Sequence, residues 1–410
     1  MADLLSVQEA QARILSFFRP VDEEPESVAE CAVRILAQDI TAPGDLPPFA
    51  NSSMDGFAVR SADVQNAPVT LKIIADIPAG SAADITLQTG QAARIMTGAP
   101  IPPGADAVVP VEDTNLYPGS PTNQAPGEVH ILRGVETGTY VRPRGQDVRE
   151  GQMLLKKGRK LQPQDAGILA AIGKAQVQVY RRPRVALFSS GDELAPPGQP
   201  LEPGQIYDSN SYFLAATLEQ AGAQVIRLGN APDDPRQIED LLNSAVAQQV
   251  NLIVTSAGVS VGAFDFVRQV IEAKGSLNFW KVNMRPGKPL VFGTFSGIPL
   301  VSLPGNPVSA FVGCLVFVLP VIRKLTGREQ VFSPRRKVVI AQPIESDGRE
   351  SYLRAIVQNQ DGKLTATLTG HQGSGNLFSL VQANALLIVP SGVKSLPSGA
   401  EVEIWFFDDD

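Results

Sequence analysis

The chain has 410 residues, of which 43% are apolar and 19% charged, enough apolar material for several cores and too little charge for a disordered chain. Lys and Arg total 35 against 42 Asp and Glu, a net charge of −7, which argues against general nucleic-acid binding while leaving room for a local pocket for one small anion. Only Cys31 and Cys314, His130 and His371 occur, so disulfide frameworks, Cys-rich zinc sites and Ser-His-Asp or two-histidine centres are disfavoured. Any metal is then expected on oxygen ligands, which suits a hard cation such as magnesium.

In chain order, Met1-Ala2-Asp3-Leu4 shows no basic stretch leading into an apolar run, so no secretory leader is expected and a cytoplasmic setting is. Ser6 with Glu9 forms a capping box ahead of Val7, Ala10, Ile14 and Phe17, predicting a short amphipathic helix, and a second helix is expected over Ser27 to Ala37. From Leu46 to Arg142 the pattern changes to short β-like runs (Leu71 to Ile74, Ala107 to Val109, Val129 to Leu132) between Pro/Gly turns. Asn51 to Ala58 reads as too compact and polar for a strand, and Tyr117 to Gly127 as a loop. Gly145 to Gly173 ends in an apolar helix, Pro163 to Ile172, and could complete the N-terminal region, making the β-rich part an insertion.

After Arg181-Arg182-Pro183-Arg184, strands and helices alternate. Strand runs at Val185 to Phe188, Gln224 to Leu228 and Asn251 to Thr255 are separated by helices after Asp208-Ser209-Asn210 and near Pro235 to Gln248, with another from Asp265. That alternation predicts βαβ units and a mostly parallel sheet. The apolar run Val308 to Ile322 is too short to span a bilayer and is broken by Pro320, so a buried helix is expected rather than a membrane segment. Val331 to Asp410 reads as a small β domain.

Ligands of open α/β sheets bind at the carboxyl ends of the strands. Four polar, glycine-rich loops are expected there: Ser189 to Leu194, Thr255 to Gly262, Asn283 to Pro289 and Leu303 to Ala310. Glycines allow close backbone approach and leave amides free to face an anion. Asn306 as N-cap and Pro307 at the first helical position would open a helix whose free amides and dipole favour a phosphate or carboxylate. Arg285 and Lys288 add positive charge, and Asp192 and Glu193 offer oxygen ligands to a divalent cation. Taken singly, each of these features has an ordinary structural explanation, a tight turn or a solvated side chain; four together in the right topological places point to an anion site. Neither a Walker P-loop nor a full dinucleotide-binding glycine motif after a strand is found. In the β-rich insertion, Asn51 to Ala58 and Arg94 to Ala107 form a second polar cluster.

Six ordered segments, Asn51 to Ala58, Met96 to Val109, Ser190 to Leu194, Thr255 to Asp265, Pro286 to Pro289 and Leu303 to Ala310, resemble the MoeA and gephyrin E-domain family of molybdopterin molybdenumtransferases, collinearly over nearly the whole chain. The resemblance implies a multidomain α/β plus β protein in four parts: an elongated N-terminal dimerisation domain (1–45 and 143–180), an inserted β-rich domain (46–142), an α/β molybdopterin-binding domain (181–328) and a β-barrel-like C-terminal domain (329–410). It implies a homodimer that converts adenylylated molybdopterin and molybdate to molybdenum cofactor, AMP and water, using magnesium. Contact with other cofactor-biosynthesis proteins would follow, and neither nucleic acid nor membrane is implied.

Carried over by position, the resemblance places the pterin phosphate and adenylate along Ser190, Gly191, Ser256, Gly258, Ser260, Gly262, Pro304, Gly305, Asn306, Pro307 and Ser309, with Asp208, Ser209 and Asn210 joining them. Molybdate would sit near Arg285, Lys288, Arg354 and Ser374, and the metal on Glu193 with Asp192 or Asp55. Asp55, Thr97, Asp147, Glu193, Asp233, Asp265 and Lys281 match the family's catalytic positions. Two departures stand out: Ala257 where many members carry glycine, and Arg285 where some carry lysine. Two competing readings are an adenylyltransferase acting on molybdopterin, which would leave the inserted domain without a purpose, and a non-catalytic dimeric scaffold, against which the intact carboxylates and the Arg285/Lys288 loop speak.

Overall fold

The computed structural model describes residues 4–117, 126–256, 266–360 and 362–407. The chain forms two compact units, one of Met1–Gln38, Lys157–Pro163 and Gln176–Asp410, the other of Asp39–Lys156 and Gln164–Ala175.

In the first unit the helix α1 (Val7–Ser16) starts as expected, with the Glu9 amide donating to Ser6 Oγ at 3.2 Å and the Ser6 amide to Glu9 Oε2 at 2.9 Å. Its buried face, Val7, Ala10 and Ile14, joins the main core. The helix expected over Ser27 to Ala37 does not form. Glu23–Ser27 is instead a strand antiparallel to Gln176–Tyr180, followed by turns and isolated bridges at Ile35 and Leu36. Pro25 disfavours helical backbone at Glu24, and Arg34 pins the extended segment by pairing with Glu24, Glu26 and the Tyr180 carbonyl.

A six-stranded sheet forms the centre of this unit, built from β1 (Arg184–Ser190), β2 (Gln224–Ala231), β3 (Leu252–Ser256), β4 (Gly275–Lys281), β5 (Pro289–Phe295) and β6 (Ile298–Leu303) in the order 2-1-3-6-5-4. The strands β2, β1, β3 and β6 are parallel, and β5 and β4 extend the sheet by antiparallel pairing. The intervening helices are α2 (Asn210–Gln220), α3 (Pro235–Ala247) and α4 (Phe266–Lys274), and α5 (Pro307–Leu325) follows β6. The chain runs from β1 to β2 on one side and on to β3 on the other, so the strand order reverses between β1 and β3, where such sheets open a ligand crevice.

Pro320 does not break α5. The helix is 19 residues long and apolar enough to cross a membrane by composition, but 89% of that stretch is buried inside the protein, as a core helix. Its middle, Cys314–Val318, is a π-helical turn. Pro320 has no N–H for the Val316 carbonyl four residues back, and Gln11 Nε2 of α1 donates to that carbonyl at 2.9 Å in its place.

The C-terminal strands Arg336–Ile340, Glu350–Gln360, Lys363–Leu368, Ala385–Val389 and Glu401–Phe406, with the short Met284–Arg285, pair in a ring closed by the Glu350–Gln360 to Ala385–Val389 contact. Closure removes free edges and encloses Val338, Ile340, Leu353, Ala355, Leu387 and Ile404.

In the second unit a five-stranded sheet takes the order Ala107–Pro110, Gly56–Val59, Gln91–Ile95, Val69–Ile77, Glu128–Ile131, with one apolar cluster around Phe57 and Leu71 and another around Ile77 and Ile95. The segment read as too polar for a strand is partly one: Asn51–Ser52 pairs with Val141–Arg142, and Gly56–Val59 is a fully buried central strand. A Cβ at residue 56 would stand 2.1 Å from the Val109 carbonyl oxygen, so only glycine permits that strand to pack. The apolar helix Pro163–Ala171 forms where it was expected.

Candidate functional site

All four glycine-rich loops of the first unit begin at the carboxyl edge of the sheet. Three follow the parallel strands β1, β3 and β6; the Asn283 to Pro289 loop joins β4 to β5, and because β4 runs parallel to β6 it opens on the same edge. Ser189 and Ser190 are the last residues of β1 and are buried. Gly191 follows with φ +150°, and a Cβ there would lie 2.4 Å from Glu193 Oε2, so the Glu193 carboxylate folds back over the glycine backbone.

Asn210, at the start of α2, ties two loops together. Its Nδ2 donates at 2.7 Å to Ser256 Oγ at the end of β3 and at 2.7 Å to the Gly305 carbonyl after β6. Asn210 Oδ1 and Ser190 Oγ are buried without a hydrogen-bond partner among the described residues, both where the strand order reverses. Buried polar atoms are rarely left unpaired, and these two are acceptors and donors suited to a polar ligand. Asp208 has a more local role: it is buried and accepts from Ser189 Oγ at 3.3 Å and from the Ser211 amide at 3.1 Å, bracing the helix start, while Ser209 occupies the N-cap without a side-chain bond.

The N-terminus of α5 is less open than its sequence suggests. Pro307 has no N–H, the Val308 amide donates to the Ser374 carbonyl at 3.0 Å, and the Ala310 amide donates to Asn306 at 2.9 Å. Ser309 keeps the one first-turn amide with no backbone acceptor among the described residues. Asn306 stands at the N-cap but makes no capping bond, leaving its amide side chain exposed beside Gly305, while Pro304 is buried. The Gly287 backbone, at φ +93°, lies against this turn, since a Cβ there would be 3.6 Å from the Ser309 carbonyl.

Beside that contact lies a concentration of positive charge. Arg354, from the closed barrel, is fully buried, and among the described residues its guanidinium donates to neutral oxygens: Ser379 Oγ at 3.0 Å and the Gly373 and His371 carbonyls at 3.0 and 3.5 Å. Burial, with Arg285 nearby, pulls its pKa down to about 10. Arg285 is half-exposed and lies 3.7 Å from Asp347, and Lys288 is partly buried on the same loop. Lys281, at the end of β4, holds its ammonium 3.4 Å from the centroid of the Trp280 ring.

Asp192, Glu193 and Asp233 form an acidic group at the mouth. The Asp233 amide donates to Asp192 Oδ1 at 3.0 Å, and burial with the charges of Asp192 and Glu193 raises the Asp233 carboxyl above its ordinary range. No three His, Cys, Asp or Glu among the described residues stand close enough together to hold a metal ion. The hard oxygen donors of Asp192, Glu193 and Asp233 and their mutual repulsion are the chemistry a divalent cation relieves.

The second unit carries its own polar cluster. Asp55 Oδ1 accepts from the Thr97 hydroxyl and amide, each at 2.7 Å, and these bonds hold its carboxyl below the ordinary range, the hydroxyl contributing most. The Gly98 amide donates to Ser52, and Asn51 pairs with Arg142, whose guanidinium forms an ion pair with Asp147. Asp55 and Thr97 are joined directly, whereas Asp147 pairs with Arg142. Gly258, Ser260, Gly262, Asp265 and the Ala257 departure lie outside the described residues. Sequence reasoning missed Asp347, which lies against the Arg285 guanidinium, Arg349, which binds Asp347, Ser379, which accepts from the Arg354 guanidinium, and Gln372, which bonds the Arg354 backbone; they are common residue types in an ordinary β pattern.

Three family profiles match in order: the MoeA N-terminal region (domain I and II) over residues 5–173, the probable molybdopterin binding domain over 186–324, and the MoeA C-terminal region (domain IV) over 337–407. The chain is 39% identical over 411 residues to molybdopterin molybdenumtransferase 2 of Mycobacterium tuberculosis, covering 98% of this chain and 99% of that one. It is 42% identical over 380 residues to the molybdopterin molybdenumtransferase of a Nostoc species, covering 90% and 85%. The crystal structure of a molybdopterin biosynthesis MoeA protein from Pyrococcus horikoshii superposes with a TM-score of 0.83 at 32% identity, covering 99% of this chain and all of that one.

Proposed function

The chain belongs to the MoeA family of molybdopterin molybdenumtransferases, and we propose that it inserts molybdenum from molybdate into adenylylated molybdopterin with release of AMP. The observation that carries this reading is the buried Arg354 guanidinium, served among the described residues by neutral oxygens and set beside a second cation, Arg285. Two guanidiniums in one partly dry place favour an anion with several oxygens, as a tetrahedral oxyanion offers. Lys288 adds a third charge, and Ser374 lies where its backbone joins the α5 N-terminus.

The substrate's phosphoanhydride and adenylate fit the crevice at Ser190, Gly191, Asn210 and Ser256, where two buried polar atoms await partners among the described residues. Gly191 lets the chain approach closely, and the exposed Asn306 amide and Ser309 N–H offer donors to phosphoryl oxygens. Glu193 with Asp192, beside Asp233, is proposed to hold magnesium, which when bound would offset charge on the phosphoryl oxygens. Lys281 brings a fixed ammonium to the same edge. Asp55, whose carboxyl the Thr97 bonds hold below its ordinary range, Thr97 and Asp147 are proposed as catalytic residues. We extend the proposal to a homodimer, a cytoplasmic setting and the four-part division 1–45 with 143–180, 46–142, 181–328 and 329–410.

The test is AMP release by the purified protein from adenylylated molybdopterin and magnesium, with and without molybdate. Molybdate-dependent AMP with metal in the pterin product supports insertion. Formation of adenylylated molybdopterin from ATP instead would identify an adenylyltransferase, and pterin binding without either reaction a scaffold.

A further inference from the structure

Asp347 stands at the rim of the cationic place described above, and nothing in the reaction requires a carboxylate there. Its Oδ2 lies 3.7 Å from Arg285 Nη1. A side chain of this length on a loop would ordinarily be free to turn into solvent, but Arg349 holds this one. Arg349 Nε donates to Asp347 Oδ2 at 3.0 Å, its Nη2 to the same oxygen, and its backbone amide to Oδ1 at 3.1 Å. The other end of the Arg349 guanidinium donates to the Met284 carbonyl at 3.2 Å, in the two-residue strand that carries Arg285. That strand pairs in parallel with the start of the barrel strand, Met284 opposite Glu350 and Arg285 opposite Ser351. The carboxylate is therefore clamped to the same backbone that presents the arginine. Neutralising Arg285 cannot be the purpose of a chain that keeps two guanidiniums together, because Arg354 is left with neutral partners.

We infer that Asp347 is a built-in counter-charge that limits how tightly the Arg285–Arg354 place holds any tetrahedral dianion. The inference rests on the reading that Arg285 faces the oxyanion. Two guanidiniums and Lys288 would bind sulfate and phosphate as well as molybdate, since all three offer oxygens at tetrahedral corners. A fixed negative charge at the rim weakens all of them together, so the site exchanges its occupant instead of trapping an abundant dianion. The effect is electrostatic and needs no contact between Asp347 and the anion.

The experiment measures binding of molybdate alone and of sulfate alone to the full chain by calorimetry. Removing one charge several ångströms from a dianion in a largely solvated setting is expected to tighten both by about fivefold in Asp347→Asn, and to steepen the salt dependence. Asp347→Glu, which keeps the charge, is expected to stay within about twofold of the unaltered protein, whereas Arg285→Ala should weaken both anions about tenfold or more. A variant damaged only in structure would not bind anions more tightly. Unchanged or weaker binding by Asp347→Asn, with Arg285→Ala weakened, overturns the inference and leaves the oxyanion reading standing. Undiminished binding by Arg285→Ala overturns both.

Discussion

The Asn210 amide is the strut on which the substrate crevice depends. Asn210→Ala removes two hydrogen bonds of 2.7 Å, one to Ser256 Oγ and one to the Gly305 carbonyl, at a side chain that is only 9% exposed. The Ser256 hydroxyl can rotate toward another partner, but the Gly305 carbonyl is fixed by its backbone. Each lost bond is worth about 1 kcal/mol, and a buried acceptor left unpaired adds about 1–3 kcal/mol, giving roughly 3–5 kcal/mol in all if the loop does not relax. Gly305 is exposed, so water can reach part of that acceptor and the lower end is the better expectation, about 3 kcal/mol. Thermal unfolding should fall by roughly 5 °C. AMP release should fall further than stability accounts for, because the loops after β3 and β6 lose their common anchor. Asn210→Asp separates the two effects: it keeps the shape but sets a carboxylate against the Gly305 carbonyl, and it should be at least as damaging as alanine. Fluorescence-monitored melting and the molybdate-dependent AMP assay on both variants decide the matter. An alanine variant that melts and turns over like the unaltered protein would refute the strut.

At Gly191 the backbone sits at φ +150°, so Gly191→Ala forces strain of about 1–3 kcal/mol and drives the new methyl into the Glu193 carboxylate; magnesium-dependent turnover should drop with a modest loss of melting temperature, and an active variant would show that Glu193 need not fold over that glycine. Glu193→Ala should lower magnesium-dependent AMP release by about tenfold or more without lowering the melting temperature, and normal turnover would remove Glu193 from the scheme. The Asp233 carboxyl is raised by burial and by Asp192 and Glu193, so the folded protein holds that proton more tightly than the unfolded chain. Its contribution to stability is present below the ordinary carboxylate range and is lost as pH rises through the raised value. Asp233→Asn should therefore melt higher than the unaltered protein at neutral pH but not at about pH 3.5, with magnesium narrowing the neutral-pH gap; an offset equal at both pH values would contradict the electrostatic origin.

Elements with strong local signals were legible in the sequence. The Ser6/Glu9 box, the alternation after Arg184 and the Asn306-Pro307 helix start all express short-range rules that the tertiary structure leaves intact. The errors came where a distant partner decided the outcome. The Ser27 to Ala37 stretch reads as a helix, yet the amides of Val33, Leu36 and Ala37 donate to the carbonyls of Leu161, Arg159 and Gln178, far away in sequence. Gly56–Val59 looked polar because its neighbours Ser52, Ser53 and Asp55 are, and its central place in a sheet is visible only once Val109 is seen against Gly56. Pro320 interrupts the apolar run but not the expected buried helix, in which Gln11 donates to the Val316 carbonyl that Pro320 cannot serve.

The same division runs through the site. Ser190, Gly191, Ser256 and the Pro286 to Lys288 turn stood out because polar and glycine residues directly after strands have few purely structural reasons to be there, whereas Asn210 entered only through the family resemblance. Arg354 was reached only through the family resemblance, since an arginine in an ordinary β run announces nothing; its meaning depends on Ser379 and Gly373, which replace the carboxylate it would otherwise need. Asp347 and Arg349 illustrate the limit more sharply. In sequence, Ser346-Asp347-Gly348-Arg349 is a hairpin-like turn with a solvated ion pair, worth little to stability. Beside Met284 and Arg285 the same four residues carry a charge whose value lies in anion affinity, a quantity that fold stability does not measure. Residues that touch a ligand therefore carry their chemistry in their own type, whereas residues that set the field around it acquire theirs from the fold.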